Sequence, residues 1–195
     1  MVTPIQLANM TAAIANRGMF YTPHIIKNIE NKVLDANYTT PKQTTIDKKH
    51  FDPVIEGLFD VYNDGTAKWL QVPGIEICGK TGTAENFRTI NGVRTQLTDH
   101  SIFIAFAPKD NPKIALAVLV ENGYFGARFA GRIASLMIEK YINGNISRTD
   151  LEKWVLNYTL EHEYEKPFSG KPFKINAETE ILSVEEYNRR KQQNQ

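Results

Sequence analysis

Two apolar stretches, Ser101–Ala107 and Lys113–Glu121, flank the cluster Pro108-Lys109-Asp110-Asn111-Pro112. Neither stretch alternates between apolar and polar residues, which is the pattern of strands covered on both faces. The cluster between them is rich in turn-forming residues, so the two strands should form an antiparallel hairpin. A hairpin buried on both sides needs helices above and below it. Ala105, Ala107, Ala115 and Ala117 are expected to leave one sheet face shallow, with Ala127, Ala130, Gly131 and Ala134 of a helix at 126–142 packed closely there. Leu136, Met137 and Ile138 should fill the rest of that layer, and Gly144 should cap the helix.

Two further helices carry clear start signals. Thr3-Pro4-Ile5-Gln6 is a capping box with proline at the first helical position, and Gly18 suits the C-terminal cap of a helix over 3–17. Asp52-Pro53 restarts a helix over 52–62, with Val54, Ile55, Leu58, Phe59 and Val61 as its buried face and a break at Asn63-Asp64-Gly65. Between them, residues 19–50 read as short strands and loops, with extended pieces near 19–21 and 25–29. A third strand is expected over 74–80, placing Ile75 and Ile77 on one face and Glu76, Cys78 and Lys80 on the other. After residue 145, Thr149-Asp150-Leu151-Glu152 is a second capping box for a short helix bearing Trp154, Val155, Tyr158 and Leu160. The chain thus divides into a main unit at 1–145, a helical extension at 146–165 and a polar tail at 166–195 that is expected to be mobile.

Charge and composition exclude several functions. With 23 Lys+Arg against 22 Asp+Glu the net charge is +1, so no cationic surface for nucleic acid is expected. One cysteine, Cys78, excludes an internal disulfide, and its simplest role is a small buried filler. His24, His50 and His162 share no metal-ligand spacing, and no metal or other cofactor is expected. No apolar run reaches about 18 residues, so no membrane span is expected, and Met1 runs into a helix start without a signal-peptide pattern. Asp99 and His100 are expected to mark the start of a strand, and Arg128 and Arg132, four apart, a solvated helix edge. Trp69 and Trp154 are expected to be packing residues, and Arg189–Lys191 a solvated end.

Chemistry concentrates in Gly79-Lys80-Thr81-Gly82-Thr83-Ala84, expected at the end of a strand. Lys80 supplies a positive charge, Thr81 and Thr83 supply hydroxyl donors, and Gly82 lets a ligand approach the main chain. The Thr83 amide could face a developing oxyanion. The pattern is not a phosphate-binding P-loop, because the required upstream glycine spacing is missing.

Around this motif, Thr3–Ala8 through Ala13–Gly18, Pro23-His24-Ile25-Ile26, Gly65-Thr66-Ala67, Asp99–Pro108 and Glu121-Asn122-Gly123 stand in an order that resembles the penicillin-binding-protein transpeptidases over about residues 2–143. The Phe-Ala-Pro strand and the Glu-Asn-Gly ending look most like the elongation-type class B members. The resemblance implies an α/β (α+β) fold, an antiparallel sheet of five strands flanked by helices, with at least three strands carried here. It implies acyl transfer on peptidoglycan stem peptides through a serine that β-lactams trap. By the same resemblance Lys80 sets the field of the site, Thr81 and Thr83 hold the substrate or β-lactam carboxylate, and Thr83 also gives an oxyanion-hole amide.

The resemblance further implies a Ser-x-x-Lys and a Ser-x-Asn motif. None of the five serines, Ser101, Ser135, Ser147, Ser169 and Ser183, fits either. Tyr141-Ile142-Asn143 imitates a variant of the second motif, but it lies downstream of Lys80 where the family places it upstream. The expectation is therefore a C-terminal portion of a transpeptidase domain, cut ahead of a helix and inactive alone. Its parent would be held in the cytoplasmic membrane by an N-terminal anchor, with the domain in the periplasm and within the cell-wall elongation complex. Exposed sheet edges would favour self-association of the portion. A non-catalytic sensor that binds cell-wall peptides or β-lactams is the alternative.

Overall fold

The computed structural model describes residues 2–90 and 92–161, and the tail expected to be mobile lies outside the described residues. Helix α1 (Pro4–Ala15) starts as expected. The Thr3 hydroxyl accepts from the Gln6 amide, and the Gln6 side chain accepts from the Thr3 amide at 2.8 Å. It ends ahead of Arg17 and Gly18, which take φ of +53° and +100°. The excursion that follows pairs β1 (Met19–Phe20) with β2 (Lys42–Gln43) around a short helix, α2 (Ala36–Thr39), while the extended piece expected at 25–29 forms no strand.

Helix α3 (Phe51–Asn63) begins one residue earlier than expected, because Asp52 does not cap it. Asp52 instead pairs with Arg17 at 2.7 Å. The buried stripe is Phe51, Ile55, Leu58 and Tyr62, and Val54 faces solvent. Asp52-Pro53 therefore set the right element but a stripe rotated from the true one.

The main sheet runs β3 (Cys78–Ile90), β4 (Val93–Ala107) and β5 (Ile114–Val120), antiparallel in the order β3-β4-β5. Ser101–Ala107 and its partner strand form the expected hairpin, but the third strand starts at Cys78 rather than at residue 74. Gly74 has φ +76° in a turn that bridges Val72 to Ile75. Directly opposed residues share a face, so the register sorts the sheet. Ala105 opposes Leu116 and Ala107 opposes Ile114, whereas Phe106 opposes Ala115 and Ile104 opposes Ala117. The four alanines are thus split between the two faces, not gathered on one.

On one face, Phe103, Ala105, Ala107 and Leu116 pack under helix α4 (Ala130–Asn143), whose Ala130, Ala134 and Ile138 are fully buried. Met137, expected inside, is 48% exposed. Gly131 allows the close approach: a Cβ there would come within 2.6 Å of Leu70. Gly144 ends α4 in the left-handed region, as expected. On the other face, Cys78, Phe106 and partly buried Ala115 pack with Ala15 of α1 and with Phe51, Ile55 and Leu58 of α3.

Helix α5 (Thr149–Asn157) has Arg148 at its N-cap and no capping box. Arg148 has another task, since its guanidinium meets the fully buried Glu139 carboxylate at 2.9 Å and donates to the carbonyls of Leu70 and Gln71. Trp154 packs as expected, its ring stacked 5.4 Å from Phe129, while Trp69 stays 51% exposed.

Candidate active site

Lys80, Thr81, Gly82 and Thr83 lie inside β3, not at its end, and the strand runs ten residues past Lys80. They pair with Ile104, Phe103, Ile102 and Ser101. The alternation puts Lys80 and Gly82 on the α1–α3 face and Thr81 and Thr83 on the α4 face. Since β4 takes one side of β3, the site residues sit on the sheet's outer strand, and no described strand covers its other side.

The ammonium of Lys80 bends around that open side. Its Nζ donates to the Thr81 carbonyl at 3.1 Å and lies 3.5 Å from Thr81 Oγ1. Thr66 Oγ1, from the loop after α3, is 3.3 Å from the same hydroxyl. Charge from one face and two hydroxyls from the other therefore converge at a single exposed edge. Lys80 has no carboxylate within ion-pairing distance among the described residues, and the Thr83 hydroxyl, also exposed, forms no hydrogen bond among them. Such an arrangement presents unneutralised charge and free donors, which suits an anion. Thr66 is the member that the Lys-Thr-Gly-Thr pattern does not reveal. Gly65-Thr66-Ala67 breaks the helix, and only the tertiary fold brings it to Thr81.

The backing of the motif is rigid. Gly79 serves packing rather than flexibility: a Cβ there would come within 2.9 Å of the Tyr62 and Phe103 rings, which meet edge-on at 5.7 Å between centroids. Behind Gly82 lies Gly126, where a Cβ would fall 2.6 Å from both the amide nitrogen and the carbonyl oxygen of Gly82. Ser101, opposite Thr83 and fully buried, donates to the carbonyls of Phe125 and Gly126 and accepts from the Ala130 amide at 3.1 Å. It fixes the start of α4 against the motif.

The register slips between Ala84 and Asn86, and this bulge marks where the buried sheet gives way to an exposed hairpin arm. The Asn86 amide, nearly buried, donates to Asn122 Oδ1 at 3.0 Å and to the Thr98 carbonyl. His100 lies within β4, not at its start, and its Nδ1 accepts from the Asn122 amide at 3.0 Å. Asp99 and His100 thus hold a turn. Cys78 is fully buried, and burial pushes its thiol up to about 12, so it is inert at neutral pH. No group of three or more metal-ligating side chains forms among the described residues.

The family model of the penicillin-binding protein transpeptidase domain matches residues 1–139. The chain belongs to that family. Among relatives of this transpeptidase family, the peptidoglycan D,D-transpeptidase MrdA of Haemophilus influenzae is 29% identical over 193 residues, covering 90% of this chain and 28% of the relative. MrdA of Acinetobacter baumannii is 34% identical over 142 residues, covering 66% and 20%. Among solved structures, Pseudomonas aeruginosa PBP2 in complex with WCK 5153 superimposes with a TM-score of 0.59 at 29% identity, over 76% of this chain and 32% of that one. Penicillin-binding protein A of Mycobacterium tuberculosis, as a ceftriaxone acyl-enzyme, gives 0.59 at 28% identity, over 72% and 32%. The mixed helix and antiparallel-sheet fold is thus that of penicillin-binding-protein transpeptidases, and the chain spans less than a third of these proteins.

Proposed function

We propose that this chain is the C-terminal portion of a peptidoglycan D,D-transpeptidase and carries the carboxylate-gripping wall of its active site. The observation behind this reading is the meeting of Lys80 Nζ, Thr81 Oγ1 and Thr66 Oγ1 on an open strand edge. A stem peptide ending in a free carboxylate would lie along that edge. Lys80 supplies the opposing charge, the Thr81 and Thr83 hydroxyls donate to the carboxylate, and the Thr83 amide donates to the carbonyl oxygen that becomes negative during acyl transfer. The serine that attacks this carbonyl comes from chain ahead of Thr3. The relatives named as D,D-transpeptidases and the acyl-enzyme of penicillin-binding protein A support the same reading for β-lactams.

The test is a titration of the isotopically labelled chain with diacetyl-Lys-D-Ala-D-Ala and with its C-terminal amide, followed by amide shifts. We expect shifts at residues 66 and 80–83 for the acid alone, and binding weakened about tenfold in Lys80→Ala, the loss of one charge-assisted contact. Equal binding of acid and amide would remove the carboxylate grip. Mass spectrometry after incubation with benzylpenicillin should show no covalent adduct, and a stable one-to-one adduct would overturn the reading as a partial domain.

The parent is proposed to be anchored in the cytoplasmic membrane by an upstream segment and to act in the periplasm within the elongation machinery. No helix among the described residues is long and apolar enough to cross a membrane. The open edge of β3, with Ile5 58% and Leu119 41% exposed elsewhere, leads us to expect self-association of the isolated chain. A concentration-independent monomer on size-exclusion chromatography would contradict that. One observation favours a non-catalytic binding module as the second reading: none of the five serines stands in a nucleophile motif. Ser-x-x-Lys and Ser-x-Asn in the upstream reading frame would decide for the enzyme.

A further inference from the structure

A second concentration of charge lies at the start of α4, away from the strand edge just described. Arg132 sits over the Trp154 ring at 3.8 Å and the Trp69 ring at 4.8 Å. In the turn just ahead of α4, Arg128 sits over Tyr124 at 4.6 Å and Phe129 at 5.5 Å, and its guanidinium donates to the Tyr158 hydroxyl at 3.3 Å. Instead of waving in solvent at a helix edge, both side chains are half-buried and held over aromatic rings. Neither has a carboxylate within ion-pairing distance among the described residues. Arg132 donates no hydrogen bond among them, and its buried Nε is unpartnered. Burial and the neighbouring Arg128 charge both act against the Arg132 charge.

Two like charges held close, with their rotamers already fixed, are unfavourable alone and favourable once an anion joins them. Stacking leaves the in-plane N–H edges of a guanidinium as its open donors, and these match a planar carboxylate in bidentate fashion. Arg132 sits in the first turn of α4 and Arg128 in the turn just ahead of it, near enough for its charge to act on Arg132, and alternate side chains of an extended strand are about 6.6 Å apart on one face. Two carboxylates in a Glu-x-Glu spacing would thus offer one to each arginine. The half-exposed Trp69 ring beside them gives apolar contact for an intervening residue.

We infer that Arg128 and Arg132 form a docking surface for an extended acidic peptide of Glu-x-Glu type on a partner protein. The inference stands on different residues from the transpeptidase reading and survives its failure. It is tested on the full chain with the acetylated, amidated peptide Glu-Val-Glu-Val-Glu, by calorimetry and by Trp69/Trp154 fluorescence. The Gln-Val-Gln-Val-Gln analogue and inorganic phosphate serve as comparisons. Binding of the acidic peptide alone, weakened at least tenfold in R132Q and in R128Q and only partly restored in R132K, is the expected result. R128Q carries the test if R132Q does not fold by circular dichroism. Equal binding of the glutamine peptide, phosphate binding as tightly as peptide, or unchanged binding in R128Q would overturn it. So would binding that appears only after truncation following Glu161, which would assign the surface to the chain's own Glu-x-Glu run beginning at Glu161.

Discussion

Glu139→Ala is expected to lower the stability of the chain by about 3–5 kcal/mol, the usual result of removing one partner from a buried ion pair. The Glu139 carboxylate is fully buried, accepts from the Ser147 amide at 2.8 Å and the Ser147 hydroxyl at 2.6 Å, and meets Arg148 at 2.9 Å. Removing it strands all three donors, one of them on an arginine that is itself mostly buried. Since whole domains are stable by roughly 5–15 kcal/mol, a large part of the margin disappears. At roughly 2–4 °C per kcal/mol for a chain of this size, thermal unfolding by circular dichroism should drop by about 6–20 °C. Glu139→Gln keeps the shape and should fall between. Acid should mimic the mutation. Burial alone would raise the Glu139 pKa, but the bonds from Ser147 and the Arg148 charge more than offset it and hold the group below its ordinary value. A depressed carboxylate stabilises the fold above its unfolded pKa of about 4.3 and loses that contribution as pH falls through the folded value. The melting temperature of the parent chain should therefore fall more steeply below about pH 4 than that of Glu139→Ala. Parallel profiles would show that the pair contributes nothing.

Gly126→Ala should be nearly as damaging, and for a different reason. The added methyl would sit 2.6 Å from the Gly82 nitrogen and oxygen and closer still to the Ile102 carbonyl oxygen. These are main-chain atoms of paired strands, which cannot rotate away as a side-chain tip can. The start of α4 must lift, taking the Ser101 bonds with it, at the upper end of the about 1–3 kcal/mol typical of overpacking. Gly82→Ala offers the control, because its Cβ would stand 3.3 Å from the Ile102 side chain, a contact that small shifts relieve. Thermal melts should therefore rank Gly126→Ala well below Gly82→Ala. The stem-peptide titration should also weaken in Gly126→Ala, since the motif loses its backing. Equal melting temperatures would show that α4 does not seat as described.

What could be read from sequence was what local chemistry decides. The Thr3–Gln6 box, the turn at 108–112 and the left-handed cap at Gly144 each depend on a few adjacent residues, and each formed. Helix faces were less legible: Val54 and Tyr62 exchanged places because the neighbour that α3 meets is set elsewhere in the fold. The alanine grouping failed because strand register, which no single strand encodes, decides which face each residue shares. Beyond Ala84 the strands continue as a polar arm, where burial periodicity has nothing to report. Its signature is the Asn91-Gly92 pair, a strong hairpin signal. At the site, Lys80, Thr81 and Thr83 stood out as chemistry, yet Thr66 enters only through tertiary contact. The pose of Arg128 and Arg132 was likewise invisible, because spacing of four describes a solvated edge equally well until aromatic rings from two other segments close over it.

The Arg148 bonds to Leu70 and Gln71 join positions 78 and 77 residues apart. They shut a loop that encloses the whole main sheet and the Lys80 edge, like a buckle on a belt. Trimming the chain to residue 139, where the family match ends, would keep every motif and discard the buckle. Shortened versions made for crystallisation or inhibitor work therefore need to run through Arg148.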